Sequence, residues 1–491
     1  MARSSHDVII IGAGPAGIFA AMELTKVAPD LDVLLIEKGP DISQRECPIL
    51  HKRGVGCTHC ALCLILSGWG GAGAFSDGKL TLTTEFGGFL GEYLDKRELD
   101  KLIKYIDGVY RQFGASGKVY GVGEKRFREL TRLAAMAGLR LLPGQIRHLG
   151  TEKCPEILAG MRDYLNDKVE IRFRTMVAEI LTDKDDSPDV SQDAAGAAGL
   201  SGGAAGPSAR AAGNRAAGVR LENGEEIRAR YVIAAPGREG AEWFRKEGTR
   251  LGLSLANNPV DIGVRVEVPG VVTEHLTEDV YEPKLIYYSK SFDDPVRTFC
   301  FNPWGEVVME NNAGLITVNG HSYEGKRTEN TNFALLVSKT FTEPFKEPIT
   351  YGKYIASLAN MLGGGVIVQR LGDLLSGRRS TEKRLQKAMV EPTLKEATPG
   401  DLSLVLPYRH LIDILEMLEA LDKIAPGVNS KHTLLYGVEV KFYSSRPEVG
   451  PDLETKLENL YAVGDGAGVT RSLAQASVAG VIAARAIAAK G

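Results

Sequence analysis

Asp7-Val8-Ile9-Ile10-Ile11 runs straight into Gly12-Ala13-Gly14-Pro15-Ala16-Gly17, and after a helical stretch the chain resumes at Val33-Leu34-Leu35-Ile36-Glu37. This is a strand–turn–helix–strand unit. Gly12 makes the tight turn, Gly14 lets the backbone approach a pyrophosphate, and Gly17 allows the helix to pack closely on the strand. Glu37 follows Gly17 by twenty residues, the spacing at which an acidic residue accepts from a ribose hydroxyl. The helix N-terminus offers unpaired N–H groups and a partial positive charge to phosphate. Gly12, Gly14, Pro15, Ala16, Gly17, Glu37 and Lys38 are therefore the expected dinucleotide contacts.

The other end of the chain narrows the choice of dinucleotide. Leu460-Tyr461-Ala462-Val463 runs into Gly464-Asp465-Gly466-Ala467-Gly468, and a small-residue helix starts near Ser472. A second strand ending in Gly-Asp suits a long cofactor that spans the sheet, FAD rather than NAD. Here the chain resembles the FAD-binding flavoproteins built like glutathione reductase, in which such a Gly-Asp holds the ribityl and phosphate region. The resemblance implies contacts from Gly464, Asp465, Ala467 and Ser472. The expected fold class is α/β: a glutathione-reductase-like FAD-binding Rossmann domain with an inserted α+β substrate/cap domain.

The 491 residues are enough for two or three domains. Apolar residues at 44% and charged residues at 25% fit an ordinary globular protein. A net charge of −3 argues against electrostatically driven binding of nucleic acid or membrane. A strand begins almost at once, with no signal-peptide pattern, and no apolar run reads as long enough to cross a bilayer. The expectation is a cytoplasmic protein without a membrane span.

Glu92 to Gly114 reads as an amphipathic helix with Leu94, Leu99, Leu102, Ile103, Ile106, Val109 and Tyr110 on one face, and Pro155 to Asn166 reads as another. Strands are expected at 169–173 and 175–181. Two more flank the hairpin signal Asn223-Gly224, the second running into Val232-Ile233-Ala234-Ala235-Pro236-Gly237. This meander matches the crossover of the flavoprotein clan, which implies that Val177 contacts the adenine and that Gly237 approaches the cofactor. Between these strands, 187–213 is Ala/Gly/Ser-rich and reads as a flexible insertion. From 259 to 436 the pattern changes. Val260 to Val268 alternates like a half-buried strand, Val296–Phe301, Glu306–Glu310 and Leu315–Asn319 could extend a sheet, and Ile412 to Ile424 is a plausible helix. The expected FAD-binding domain is thus 1–258 with 437–491, and the substrate/cap domain 259–436. No second GxGxxG opens a helix, so no separate nicotinamide domain is expected.

Six cysteines in a cytosolic chain do not suggest a disulfide framework, yet four of them are bunched. Cys47-Pro48 precedes Cys57-Thr58-His59-Cys60-Ala61-Leu62-Cys63. Cys47, Cys57, Cys60 and Cys63 are the residue inventory of a four-thiolate iron–sulfur site, such as a [4Fe-4S] cluster. They are equally a structural zinc set, and a cysteine loop without metal is the third reading. Directly after them comes Gly68-Trp69-Gly70-Gly71-Ala72-Gly73-Ala74-Phe75-Ser76-Asp77-Gly78-Lys79-Leu80. Glycines at this density bring backbone close to something flat or anionic. Gly70, Gly71, Ala74, Ser76 and Asp77 are the candidate flavin contacts.

The run Cys-Pro, CxxCxxC and GGAGAFSDGKL resembles the large, mostly uncharacterised family of bacterial and archaeal FAD-dependent dehydrogenases. Arg147-His148-Leu149-Gly150-Thr151, Gly263-Val264-Arg265-Val266-Glu267, Arg297-Thr298-Phe299-Cys300 and Val318-Asn319-Gly320 extend the resemblance over nearly the whole chain. Two stretches depart from it: Cys300-Phe301-Asn302-Pro303-Trp304-Gly305, and Gly464 to Ser472. The implied activity is an FAD oxidoreductase acting on a small organic substrate, with a cluster, where one is bound, passing single electrons to a ferredoxin-like carrier. Lys79 is the candidate partner of the reduced flavin or an anionic substrate, His148 of proton transfer, and Arg265 of a substrate carboxylate. Alternatives are a flavin monooxygenase or prenyl-type double-bond reductase of the same clan, and a flavin-dependent tRNA-modifying protein.

Overall fold

The computed structural model describes the chain except residues 1–4, 48–59, 77, 122, 151–152, 184–214, 313, 323–326, 342–346 and 443–444. Cys57, His59, Asp77, Thr151 and the insertion expected at 187–213 lie outside the described residues.

Five parallel strands form the nucleotide-binding layer, in the order Glu170–Arg172, Val33–Ile36, Ser5–Ile11, Glu226–Ala234 and Leu460–Ala462. Val8 to Ile10 are fully buried, the signature of a parallel strand covered on both faces. The helix Pro15–Val27 packs against the last helix, Leu473–Lys490. The contact is backbone to backbone, since a Cβ on Gly480 would lie 2.0 Å from the Ala16 carbonyl oxygen. The last helix does reach the length and apolarity of a membrane span, contrary to the sequence expectation, with 61% of it buried inside the fold.

Glu226–Ala234 belongs to two structures at once. Its first residues pair antiparallel with Arg215–Leu221, which pairs in turn with Val177–Asp183, while its second half enters the parallel sheet. The hairpin turns at Gly224, with φ at +88°, and the Asn223 side chain accepts from the Glu225 N–H at 2.9 Å. The amphipathic helix runs Lys96–Gln112. It is capped by Asp95, which accepts from the Arg97 N–H at 2.8 Å, and it buries Leu99, Leu102, Ile103, Ile106, Val109 and Tyr110.

The second layer is an eight-stranded sheet in the order Thr398–Pro399, Ile367–Arg370, Leu434–Lys441, Val260–Pro269, Asn330–Lys339, Pro295–Asn302, Lys284–Tyr288 and Leu139–Leu142. It takes in Leu139–Leu142 from the amino-terminal part, and Leu434–Lys441 runs across the division expected at 436/437. The helices Pro348–Gly363 and Tyr408–Asp422 cover one face. Val260–Pro269 is not half-buried but central. Ile262, Val264, Val266 and Val268 enter the apolar core, while Asp261, Arg265 and Glu267 point the other way and are also fully buried. The alternation is real, but its polar side meets protein rather than water. Glu306–Asn312 and Leu315–His321 do not extend this sheet; they form their own two-stranded ribbon.

Candidate cofactor and substrate site

Gly12 takes φ +104°, and a Cβ there would sit 2.4 Å from the Ala235 oxygen, so only glycine makes this turn. A Cβ on Gly17 would lie 1.9 Å from the Gly12 oxygen, whereas a Cβ on Gly14 meets nothing within 4 Å. Gly12 and Gly17 therefore serve packing, and Gly14 faces open space at the start of a helix that no side chain caps. That combination fits a pyrophosphate. Glu37 is buried. Its Oε2 accepts from the Ala13 N–H at 2.8 Å, and its Oε1 accepts from the Gly39 and Gly68 N–H groups at 2.8 and 2.9 Å. With two acceptor sites per oxygen, Oε2 keeps one for a ribose hydroxyl. Lys38 pairs with Glu239 at 3.3 Å.

The glycine loop lies directly on this turn. The Gly70 N–H donates to the Ala13 oxygen at 2.8 Å, and a Cβ on Gly71 would come within 3.3 Å of Gly14 Cα. Gly68, Gly70 and Gly71 all take positive φ. Ala74 is fully buried, and Ser76 closes its own loop, donating to the Gly73 oxygen at 2.9 Å and accepting from the Gly78 N–H at 3.2 Å. Beneath the loop lies Arg45, which sequence reasoning missed. Burial lowers its guanidinium to about 10, against the pull of nearby Glu37, so it stays charged at neutral pH. It binds distant carbonyls, and no local pattern signals that.

At the carboxyl ends of the parallel strands, Gly464 to Gly468 face Pro236 and Gly237. The Gly466 N–H donates to the Pro236 oxygen at 2.9 Å, and a Cβ on Gly237 meets nothing within 4 Å. Burial raises the pKa of Asp465, with Arg238 and the Thr470 hydroxyl opposing. Thr470 donates to Oδ1 at 2.8 Å, and Arg238 approaches Oδ2 at 3.4 Å. Asp465, Arg238, Thr470 and Arg471 line a recess with Asn258 and Phe442, where the two layers meet. Ala467 is buried behind it. Ser472 caps its own helix, accepting from the Gln475 N–H at 3.2 Å. Val177 pairs with Leu221 in the meander.

Lys79 connects the layers. It stands on the strand Lys79–Thr81, opposite His148. Its Nζ donates to the Phe301 oxygen at 2.9 Å, lies 3.6 Å from Glu282 and 3.9 Å from Cys300 Sγ, and sits over the Tyr281 ring. His148 packs tilted against the same ring, with the ring centroids 5.2 Å apart. Arg265 is not free for a substrate carboxylate. Glu439 takes Nε and Nη2 at 2.8 Å each, while the Cys300 oxygen, Asn332 and Asn319 receive the rest at 3.0–3.2 Å. All five of its N–H groups are committed. Cys300 itself takes φ +48°, a conformation rare for a side-chain-bearing residue.

Cys47 and Cys63 are half-buried and Cys60 is exposed. Among the described residues no three His, Cys, Asp or Glu side chains come together as a metal-ligand group. Cys57, the remaining member of the expected four-thiolate set, lies outside the described residues.

Residues 259–442 match the family model "FAD-dependent protein, C-terminal domain-like", and residues 7–60 match "Lycopene cyclase protein". An uncharacterized protein of Clostridium beijerinckii is 26% identical over 500 residues, spanning 96% of this chain and 79% of its own. Among solved structures, L-proline dehydrogenase from P. horikoshii is similar with a TM-score of 0.40 at 11% identity, covering 99% of this chain and 93% of its own. Glycine oxidase from Geobacillus kaustophilus gives 0.37 at 13%, covering 99% and 95%. The nucleotide turn and the match of residues 259–442 to an FAD-dependent domain agree on the cofactor class, an FAD-dependent protein.

Proposed function

We propose that this enzyme is a dehydrogenase or reductase that exchanges a hydride or electron pair between FAD and a small organic substrate. The observation that carries the reading is Lys79. It follows the loop lying on the dinucleotide turn and reaches the Phe301 oxygen in the second layer, so cofactor turn and polar sheet face share one boundary. FAD supplies the redox chemistry when bound, and the protein supplies orientation and local charge. The helix start at Gly14 binds the pyrophosphate, Glu37 accepts from the ribose, and Asp465 accepts from the ribityl hydroxyls. Lys79 holds positive charge where the layers meet.

Where Cys47, Cys57, Cys60 and Cys63 hold an iron–sulfur cluster, the electron partner in this reading is a one-electron protein carrier of the ferredoxin type, which the lack of a second dinucleotide motif in the sequence also favours; the setting is the cytoplasm. Such a cluster would carry single electrons between the flavin and that partner. Anaerobic purification with flavin extraction, a visible spectrum and iron and zinc analysis tests these points together. Bound FAD supports the reading; only FMN, or no flavin after reconstitution, sinks it. Rapid saturable flavin reduction by NADPH alone would replace the carrier with a nicotinamide.

A further inference from the structure

Arg45 is buried at the end of the turn Ile42–Gln44. Its guanidinium meets four backbone carbonyls: Nε donates to Leu64 at 2.9 Å, Nη2 to Ile65 at 2.7 Å, and Nη1 to Trp69 at 2.6 Å and Gly71 at 2.9 Å. Its plane lies 4.8 Å from the Phe75 ring centroid. These acceptors sit on both sides of Gly68. Leu64 and Ile65 belong to the turn in which the Leu66 and Ser67 N–H groups donate to the Cys63 oxygen, and Trp69 and Gly71 begin the glycine loop.

That loop has little conformational preference of its own. Three of the four residues Gly68 to Gly71 are glycine in positive-φ conformations, and ordering such a stretch costs more entropy than ordering any other sequence. Its anchors include the Gly68 N–H on Glu37, the Trp69 N–H on the Pro40 oxygen, the buried Trp69 indole N–H on the Leu158 oxygen at 2.7 Å, the Gly70 N–H on the Ala13 oxygen, and Arg45. Among the described residues only Arg45 gathers carbonyls from before and after the bend. The planar, forked guanidinium suits that task, whereas an ammonium has three donors on a flexible stem. The parallel sheet itself makes no use of this side chain.

We propose that Arg45 is a positioning residue for the cofactor, holding the glycine loop against the dinucleotide turn so that FAD finds it preformed. This rests on the reading that the site takes FAD. The test compares the intact protein with Arg45→Lys and Arg45→Met, titrating each flavin-free form with FAD and with ADP, which presents the adenosine and both phosphates but lacks the flavin and ribityl chain that the glycine loop is expected to contact. Losing charge-assisted bonds to four carbonyls is expected to weaken FAD in Arg45→Met by about tenfold or more, with a smaller loss in Arg45→Lys and ADP binding less affected than FAD in both. Far-UV circular dichroism is expected to match the wild type. Wild-type FAD affinity in either folded variant overturns the proposal. So does an equal loss of FAD and ADP with lost ellipticity, which marks a merely structural residue. If Arg45→Met does not fold, the FAD-to-ADP ratio in Arg45→Lys decides. Failure of the wild type to bind FAD would instead remove the cofactor reading.

Discussion

Arg265 and Glu439 face each other through two parallel contacts of 2.8 Å, both side chains wholly removed from water. Burial alone would drive both toward their neutral forms. Their mutual attraction wins: the guanidinium is held above its ordinary range and the carboxyl below, with Lys441 assisting at 3.1 Å. Glu439→Ala leaves two cations in a dry site and is expected to cost about 3–5 kcal/mol. Glu439→Gln keeps one acceptor and should cost less. Urea unfolding midpoints measure both, and equal stability of the alanine variant would show that water reaches the pair.

The glycines of the first turn have separable duties. Gly12→Ala pushes a methyl onto the Ala235 oxygen in a backbone conformation unsuited to it, so flavin-free protein should lose about 1–3 kcal/mol. A Cβ at Gly14 meets no protein atom within 4 Å; Gly14→Val should cost the flavin-free protein no more than about 1 kcal/mol, the loss of a favoured N-cap residue, while FAD binding fails. Thermal unfolding beside FAD titration distinguishes the two, and unchanged FAD affinity in Gly14→Val would move the pyrophosphate elsewhere.

Local sequence carries the nucleotide layer well, because Gly12, Gly14, Gly17 and Glu37 act within one strand–helix unit whose spacing is its geometry. The parallel strands and the hairpin at Asn223-Gly224 were legible for the same reason. The second layer was less so. Asp261, Arg265 and Glu267 alternate with valines as solvent-facing residues do, and only their distant partners, such as Glu439 for Arg265 and Tyr436 for Glu267, reveal a buried polar face. Arg45 was invisible because its acceptors are carbonyls, which every residue has. Arg265 was misread as a carboxylate receptor because its own carboxylate lies 174 positions away.

A pair of carboxyls near the helix Tyr408–Asp422 sets a pH dependence. Burial pushes Asp294 up, but Arg409 and Lys339 bring it down to about 2. Burial and the neighbouring Asp294 raise Asp413 to about 6, against the Ser289 hydroxyl and Lys339. A carboxyl whose folded pKa exceeds its ordinary 3.8 holds its proton more tightly in the folded state, so its contribution is lost as pH rises from about 4 to 6. Asp413→Asn escapes that loss. It should be more stable than the wild type at pH 7 by about 1–3 kcal/mol, with the gap closing near pH 4. His410, lowered to about 4 by burial, adds an opposite slope to both proteins and largely cancels in the difference. Melting temperatures at several pH values test this, and a pH-independent gap would refute it.

Ser472 separates a cofactor contact from a helix cap. Resemblance implies a flavin contact, yet its hydroxyl accepts from the Gln475 N–H at the start of the helix Leu473–Lys490. Such a cap satisfies one of the otherwise unpaired first-turn donors, and its removal typically costs about 1 kcal/mol. The helix packs on Pro15–Val27, whose N-terminus begins the nucleotide turn, so weakening it acts on the whole layer rather than on one bond to FAD. Ser472→Ala should therefore lower flavin-free stability by about 1 kcal/mol and leave FAD affinity within about twofold. Ser472→Asp, another good cap, should restore stability. A tenfold loss of FAD affinity in Ser472→Ala at unchanged flavin-free stability would return the hydroxyl to the cofactor.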